Sequence, residues 1–272
     1  MTELGLHQGL SVRRIGAMIL RHWYLLMSSW PRLLELLYWP ALQVITWGFL
    51  QLYIAQNANV FARAGGTLIG AVMLWDILFR GQLGFTLSFL EEMWARNIGN
   101  LIMSPLKPIE FLLSLMVMSL IRLAIGVVPM TLLALFLFHF NIYGLGLPLI
   151  AFFCNLILTS WSIGIFVSGL VLRNGLGAES TVWTLVFAVM PLACVYYPVS
   201  VLPTWLQYVA WALPPTYVFE GMRALLIEHT FRADLMLSAL AINLVPLAAC
   251  FGAFLALLRS AKKNGSLLSS GE

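Results

Sequence analysis

The side chains of this sequence that could do chemistry are few. Glu91 and Glu92 are adjacent carboxylates, the raw material of acid/base catalysis. Neighbours on a helix point about 100° apart, however, and cannot address one bond together, so a solvated start to a helix is expected there instead of a catalytic pair. His139 and His229 stand alone in the sequence, and a lone His near the end of an apolar run is more often interfacial than catalytic. Cys154, Cys194 and Cys250 sit inside apolar runs without metal-ligand spacing. There is no HExxH or GxSxG arrangement, and the only lysines, Lys107, Lys262 and Lys263, belong to no GxxxxGK[ST] loop. The expectation is no catalytic residue, no metal site and no nucleotide site in this chain.

Two charge groups remain. Asp76 and Arg80 lie four apart in one apolar run and Arg122 lies in another; a charge at the centre of a membrane span costs at least about 2.5 kcal/mol and marks a partner or a pathway. If the two runs are antiparallel neighbours, Asp76 and Arg122 fall at similar depth, so Asp76 is expected to pair with both arginines. That cluster would clamp the two spans together or line a substrate path. Glu220 and Arg223, three apart in a segment with Pro198 and Pro203, would either form an outer gate or satisfy each other.

The elements that must position these residues follow from composition. Of 272 residues 61% are hydrophobic and 10% charged, with mean hydropathy +0.92, which excludes a soluble globular protein. Apolar runs predict six spans at about residues 34–55, 65–89, 111–138, 147–172, 178–196 and 235–258. Ahead of them, QGLSVRRIGAMILRHWY at 8–24 places Val12, Ile15, Ile19 and Trp23 at helical steps, with Arg13, Arg14 and Arg21 opposite. This reads as an amphipathic helix lying on the membrane with its arginines toward anionic head groups. No removable signal peptide is expected. Between spans five and six, residues 197–231 are apolar but broken by Pro198, Pro203, Pro214 and Pro215, so two short helices that dip in and return are expected. The fold class is an all-α membrane protein: an interface helix at 1–30, a six-span domain at 31–260 with a re-entrant segment, and a tail at 261–272.

Six spans place both termini on one side. With the termini inside, the inner segments hold Arg13, Arg14, Arg21, Arg32, Arg96, Lys107, Arg173, Arg259, Lys262 and Lys263, whereas the outer ones hold Arg63, Arg223 and Arg232. That excess puts the termini, and the polar stretch FLEEMWARNIGNLIMSPLKPIEF at 89–111, in the cytoplasm.

Within that stretch, Glu91-Glu92, Leu101-Ile102, Ser104-Pro105-Leu106 and Glu110 resemble the coupling segment of the type 2 ATP-binding-cassette exporter permeases. There an acidic start, a Leu pair, Ser-Pro and a Glu opening the next span recur in this order. Tyr197-Pro198, Leu202-Pro203, Trp205-Leu206, Leu213-Pro214, Tyr217, Glu220 and Arg223 resemble the same family's re-entrant segment. The resemblance spans almost the whole chain. It departs where the family often has Gly-Thr and then Glu; here stand Arg96, Asn97 and Gly99.

What the resemblance implies is a permease of the bacterial cytoplasmic (inner) membrane. It would work with a second copy of itself and two separate ATPase subunits, which bind the ATP and Mg, and with no nucleic acid. Glu91, Glu92, Arg96, Asn97, Ser104 and Pro105 are the coupling residues so implied. The substrate path would run between the copies along spans one, two and five, for a lipid, lipid-linked saccharide, polysaccharide or drug. Two other readings stand beside it: a membrane-embedded enzyme acting on lipid, with Asp76, His139 or His229 as base, and a structural subunit that transports nothing.

Overall fold

A computed structural model describes residues 9–57 and 66–264. The expectations for Arg63 and for the tail beyond Asn264 lie outside these residues, as do the side chains of Lys262 and Lys263.

The described residues form helices without strands, in the order α1 Val12–Met27, α2 Trp30–Asn57, α3 Thr67–Trp94, α4 Ile98–Met103, α5 Pro108–Phe138, α6 Leu147–Asn174, α7 Thr181–Leu192, α8 Thr204–Trp211, α9 Pro214–Ile227 and α10 Ala233–Asn264. Short 3₁₀ turns at Ile142–Leu145, Leu176–Ala178 and Val199–Val201 join some of them. Among the described residues five helices, α2, α3, α5, α6 and α10, are long and apolar enough to cross a membrane.

The fifth expected span, 178–196, is not one long helix. α7 has 12 residues, about 18 Å at about 1.5 Å per residue, against a hydrocarbon core of about 30 Å. The apolar run continues past it, but Cys194 turns left-handed with φ +54° and ends the helical path. The direction of travel is nevertheless recovered. Thr159 and Asn155 of α6 meet Asn243 of α10, and Gly169 further along α6 faces Leu257 and Phe254 further along α10. The two helices are therefore parallel, and the segment between them carries the chain back over the length of α6.

Small residues bring the other helices close. A Cβ on Gly84 of α3 would lie 3.0 Å from the Ser119 Cα of α5, and one on Gly81 would lie 2.5 Å from Ser160 Oγ of α6. Glycine at such points allows backbones to approach, and dispersion then holds helices that share an apolar solvent. α3, whose residues are almost all buried, is the hub; α5 runs antiparallel to it and α6 parallel.

One end of the bundle gathers α1, the start of α2, α4, the turn between α3 and α5, and the ends of α6 and α10; it is called the near end below. At the far end, Met222 and Leu226 of α9 cover Gly70 of α3.

Candidate functional site

At the near end α3 must stop after Trp94, and it does so by a left-handed turn. Arg96 has φ +51°, while Asn97 N donates to Glu92 O at 2.9 Å and Arg96 N to Met93 O at 3.0 Å, a Schellman-type C-cap. Arginine holds the place where glycine is the low-cost residue. It is also the place where the resembling family often carries glycine. After α4, Ser104 takes an extended conformation (φ −74°, ψ 164°), as a residue before proline must, and its Oγ donates to Leu101 O at 2.6 Å. Pro108 and Glu110 then open α5.

The carboxylates of this stretch turn inward. Glu91 is 8% exposed, and Glu92 and Glu110 are 0%. Arg122 Nη2 donates to both oxygens of Glu91 at 2.9 Å, and Arg32 Nη1 adds a bond at 3.2 Å. Glu92 accepts from Arg21 Nε at 2.8 Å and from Asn97 Nδ2 at 2.6 Å. Glu110 accepts from Arg14 Nε and Nη2, both at 2.7 Å, from Ser11 N at 2.8 Å and from Lys107 N at 3.0 Å. The Glu110 carboxylate holds the Arg14 guanidinium above its usual pKa, and Glu92 does the same for Arg21. Glu91 and Glu92 therefore do not form a solvated helix start; they are ion-pair anchors for α1, α2 and α5.

Two expectations are corrected here. Arg122 pairs with Glu91, and among the described residues Asp76 pairs with Arg80 and not with Arg122. Side chains lean toward the N-terminus of their own helix. On antiparallel α3 and α5 this tilts Arg122 and Glu91 toward one another and tilts Arg122 and Asp76 apart. Depth alone, from which the Asp76–Arg122 pair was expected, omits that tilt. The face of α1 is also different. Its buried residues are Met18, His22 and Leu26, Arg14 and Arg21 reach inward to glutamates, and Val12 of the expected apolar stripe is 83% exposed. An unpaired buried carboxylate costs several kcal/mol, and the demand of Glu92 and Glu110 for cations rotates the helix.

With the glutamates buried, other side chains form the outer surface of the turn. Trp94, Arg96, Asn100, Met103, Pro105 and Ile109 are exposed, Met103 at 81%. Underneath, Ile98, Leu101 and Leu106 pack with Phe89, Phe111, Phe254 and Leu258. α4 thus has an outer face free for contact and an inner face keyed into the ends of α3, α5 and α10.

Between α2, α3 and α7 lies a cavity of about 550 Å³. Trp39, Phe79, Trp183 and Phe187 provide apolar wall, and Arg32, Arg80 and Arg122 provide charge. At the far end, Glu220 Oε1 accepts from Val199 N at 2.7 Å and from Arg223 Nη2 at 3.0 Å, and Arg223 Nη1 donates to Val195 O at 3.3 Å. Glu220 and Arg223 satisfy each other and fasten the turn at 195–199 to α9. Pro198 and Pro203 are exposed and immediately precede the Val199–Val201 turn and α8.

Among the described residues no group of three or more His, Cys, Asp or Glu could hold a metal. The buried network was partly signalled in the sequence by arginines concentrated near the N-terminus; among the three glutamates only Glu91 lacks a basic residue one helical turn away, since Glu92 has Arg96 and Glu110 has Lys107. A family model described as ABC-2 type transporter matches residues 15–227. A search of curated proteins gives no match.

Proposed function

Because the chain belongs to the ABC-2 type transporter family, we propose that it is the membrane permease of an ATP-driven exporter, paired with a second copy of itself and driven by two separate ATPase subunits. The observation that carries this reading is the two-faced turn at 94–109. Its outer face exposes Trp94, Arg96, Asn100 and Met103, while Ile98, Leu101 and Leu106 key its inner face into the helix ends. A partner that closes on ATP would press on the outer face, and the inner face would pass the movement into α3 and α5. Coupling of this kind needs only that the partner's two states touch the surface differently.

In this reading the near end is cytoplasmic, in keeping with Arg13, Arg96, Arg173 and Arg259, all exposed there. α7 together with the turn after it makes the sixth crossing, and α8 and α9 form the re-entrant segment. α1, with Val12, Leu20 and Tyr24 exposed, lies in the membrane interface. The path runs along α2, α3 and α7, where the cavity opens, and takes a hydrophobic or amphipathic substrate outward by alternating access.

The test is co-expression with the candidate ATP-binding-cassette ATPase subunits of the same genome, followed by tag purification. Both chains are expected to elute together, and Met103→Asp is expected to release the ATPase without changing the permease melting temperature. Recovery of the permease alone, even with a non-hydrolysable ATP analogue, would sink the proposal.

A further inference from the structure

Pro40 stands inside α2, and its surroundings make a joint. Proline has no N–H, so the carbonyl four residues earlier, that of Leu36, loses its helical partner and is pushed aside by the ring. Arg80 of α3 supplies the missing donor: its Nη1 reaches Leu36 O at 3.2 Å while its Nε stays on Asp76. Gly126 of α5 leaves room for this, since a Cβ there would lie 3.1 Å from Leu36 O and 3.2 Å from Arg80 Cδ. A neighbouring helix that meets a freed carbonyl is what makes proline tolerable in an apolar solvent. We propose that Pro40 is a hinge, that the Arg80–Leu36 bond is its catch, and that residues 30–39 are a strap that opens and closes the near end of the cavity between α2, α3 and α7. The hinge goes beyond the exporter reading and rests on it only for what drives the movement.

Packing changes at the same residue. None of residues 30–39 is buried, whereas Pro40, Val44 and Gly48 are buried at steps of four, one face of the helix. Gly48 abuts the ring of Phe138 of α5. α2 is thus anchored from Pro40 onward, and before it is held by polar contacts, Arg32 to Glu91 at 3.2 Å and Arg80 to Leu36 O. At its other end the strap joins α1 through Ser28 and Ser29, a second joint. The strap also walls the cavity: Arg32, Glu35, Leu36 and Trp39 line it, and beyond the hinge α2 adds only Gln43 among its described residues. Arg32 and Glu35 share the near end of the cavity with Trp94 and Glu179, so a displaced strap widens that end.

The catch is reversible. Arg80 keeps Asp76 when it lets go of Leu36, so no ion is left alone. Leu36 and Arg80 both line the cavity, and water entering an open end can replace either partner. A guanidinium donor makes a stronger bond than a neutral one, which makes the closed strap the resting state. Leu34 stands about 9 Å along the helix from Pro40, so a change of about 20° in bend moves it by about 3 Å.

The experiment uses the full chain in phosphatidylcholine nanodiscs, without an ATPase, with Cys154, Cys194 and Cys250 replaced by alanine. Nitroxide pairs are read by double electron–electron resonance, diluted with unlabelled protein so that each distance lies within one chain. Leu34→Cys with Leu244→Cys reports the strap, and Leu50→Cys with Leu244→Cys is the reference beyond the hinge; all three side chains are exposed. The reference pair is expected to give one narrow distance and the strap pair a main and a minor distance about 3 Å apart. The charge-neutral double variant Asp76→Asn, Arg80→Met removes the catch and should raise the minor population about tenfold relative to the main one. Pro40→Ala returns an N–H to Leu36 O without touching a charge and should leave one strap distance. A strap pair as narrow as the reference pair, which is also the result if a second copy holds this face, would overturn the proposal. So would two distances that persist in Pro40→Ala, or a ratio that the double variant leaves unchanged. Two strap distances whose ratio does not respond to added ATPase subunits and an ATP analogue would support the hinge and fault only the exporter reading.

Discussion

Arg122 donates from Nη2 to both carboxylate oxygens of Glu91 at 2.9 Å, bridging helices whose paired residues stand 31 positions apart. The pair joins the middle of α5 to the near end of α3, and Arg32 of α2 closes on the same carboxylate. Three long helices therefore meet at one side chain. Any movement of the turn at 94–109 relative to α2 must be accommodated there.

Glu91→Gln is expected to destabilise the protein by about 3–5 kcal/mol, because it leaves Arg122 buried without its counter-charge. Glu91→Gln with Arg122→Gln should cost less than the sum of the two single changes. Thermal unfolding in detergent measures the cycle, and strict additivity would show that the two side chains do not act as a pair.

Arg14→Ala is expected to release α1 while leaving the bundle folded. With α1 released the Glu110 carboxylate meets solvent and keeps the Lys107 amide as a donor, so the bundle is spared the cost of a lone buried charge. Ser11 N and Arg14 bind the same Glu110 carboxylate, so the start of α1 is where the loss falls. Hydrogen exchange should accelerate across Val12–Met27 and remain unchanged in α6.

Arg96→Gly is expected to stabilise the fold by about 1 kcal/mol, since φ +51° is costly for any residue with a Cβ. Arg96→Ala removes the same charge but keeps the strain. Equal melting temperatures for the two variants would show that the turn is not strained.

Asn243→Leu is expected to lower stability by about 0.6–2 kcal/mol. Its amide accepts from Thr159 Oγ1 at 2.7 Å and donates to Asn155 O at 3.1 Å, tying α10 to α6. The modest size follows from the apolar surroundings, in which leucine packs well. A loss above about 4 kcal/mol would mean that the network holds more than this helix pair.

Much of the architecture was readable from sequence. The long helices follow from apolar runs, and Pro198, Pro203 and Pro214 announced the broken segment, since proline begins or precedes each of its pieces. The 178–196 run misled because apolarity reports burial in an apolar medium and not helical continuity; the left-handed turn at Cys194 leaves no apolar signature. Within the coupling stretch α4 ends at Ser104, as the restriction that Pro105 places on the residue before it requires. Glu91 and Glu92 read locally as a solvated helix start, because nothing near them in sequence shows that their partners Arg122, Arg32 and Arg21 lie on other helices.

Read alone, the residues give a helical membrane protein, contain no GxxxxGK[ST] string, and at 89–111 follow the pattern of a known family. Those properties are set by composition, periodicity and short-range spacing. Only the tertiary structure decided which charges meet. Arg14 with Glu110, Arg21 with Glu92 and Arg122 with Glu91 are 96, 71 and 31 residues apart. Such pairs depend on helix direction, on the lean of side chains toward their own N-termini, and on the cost of leaving an ion buried alone. None of these is a property of a local segment, so the inward face of the coupling stretch became visible only once the helices were assembled.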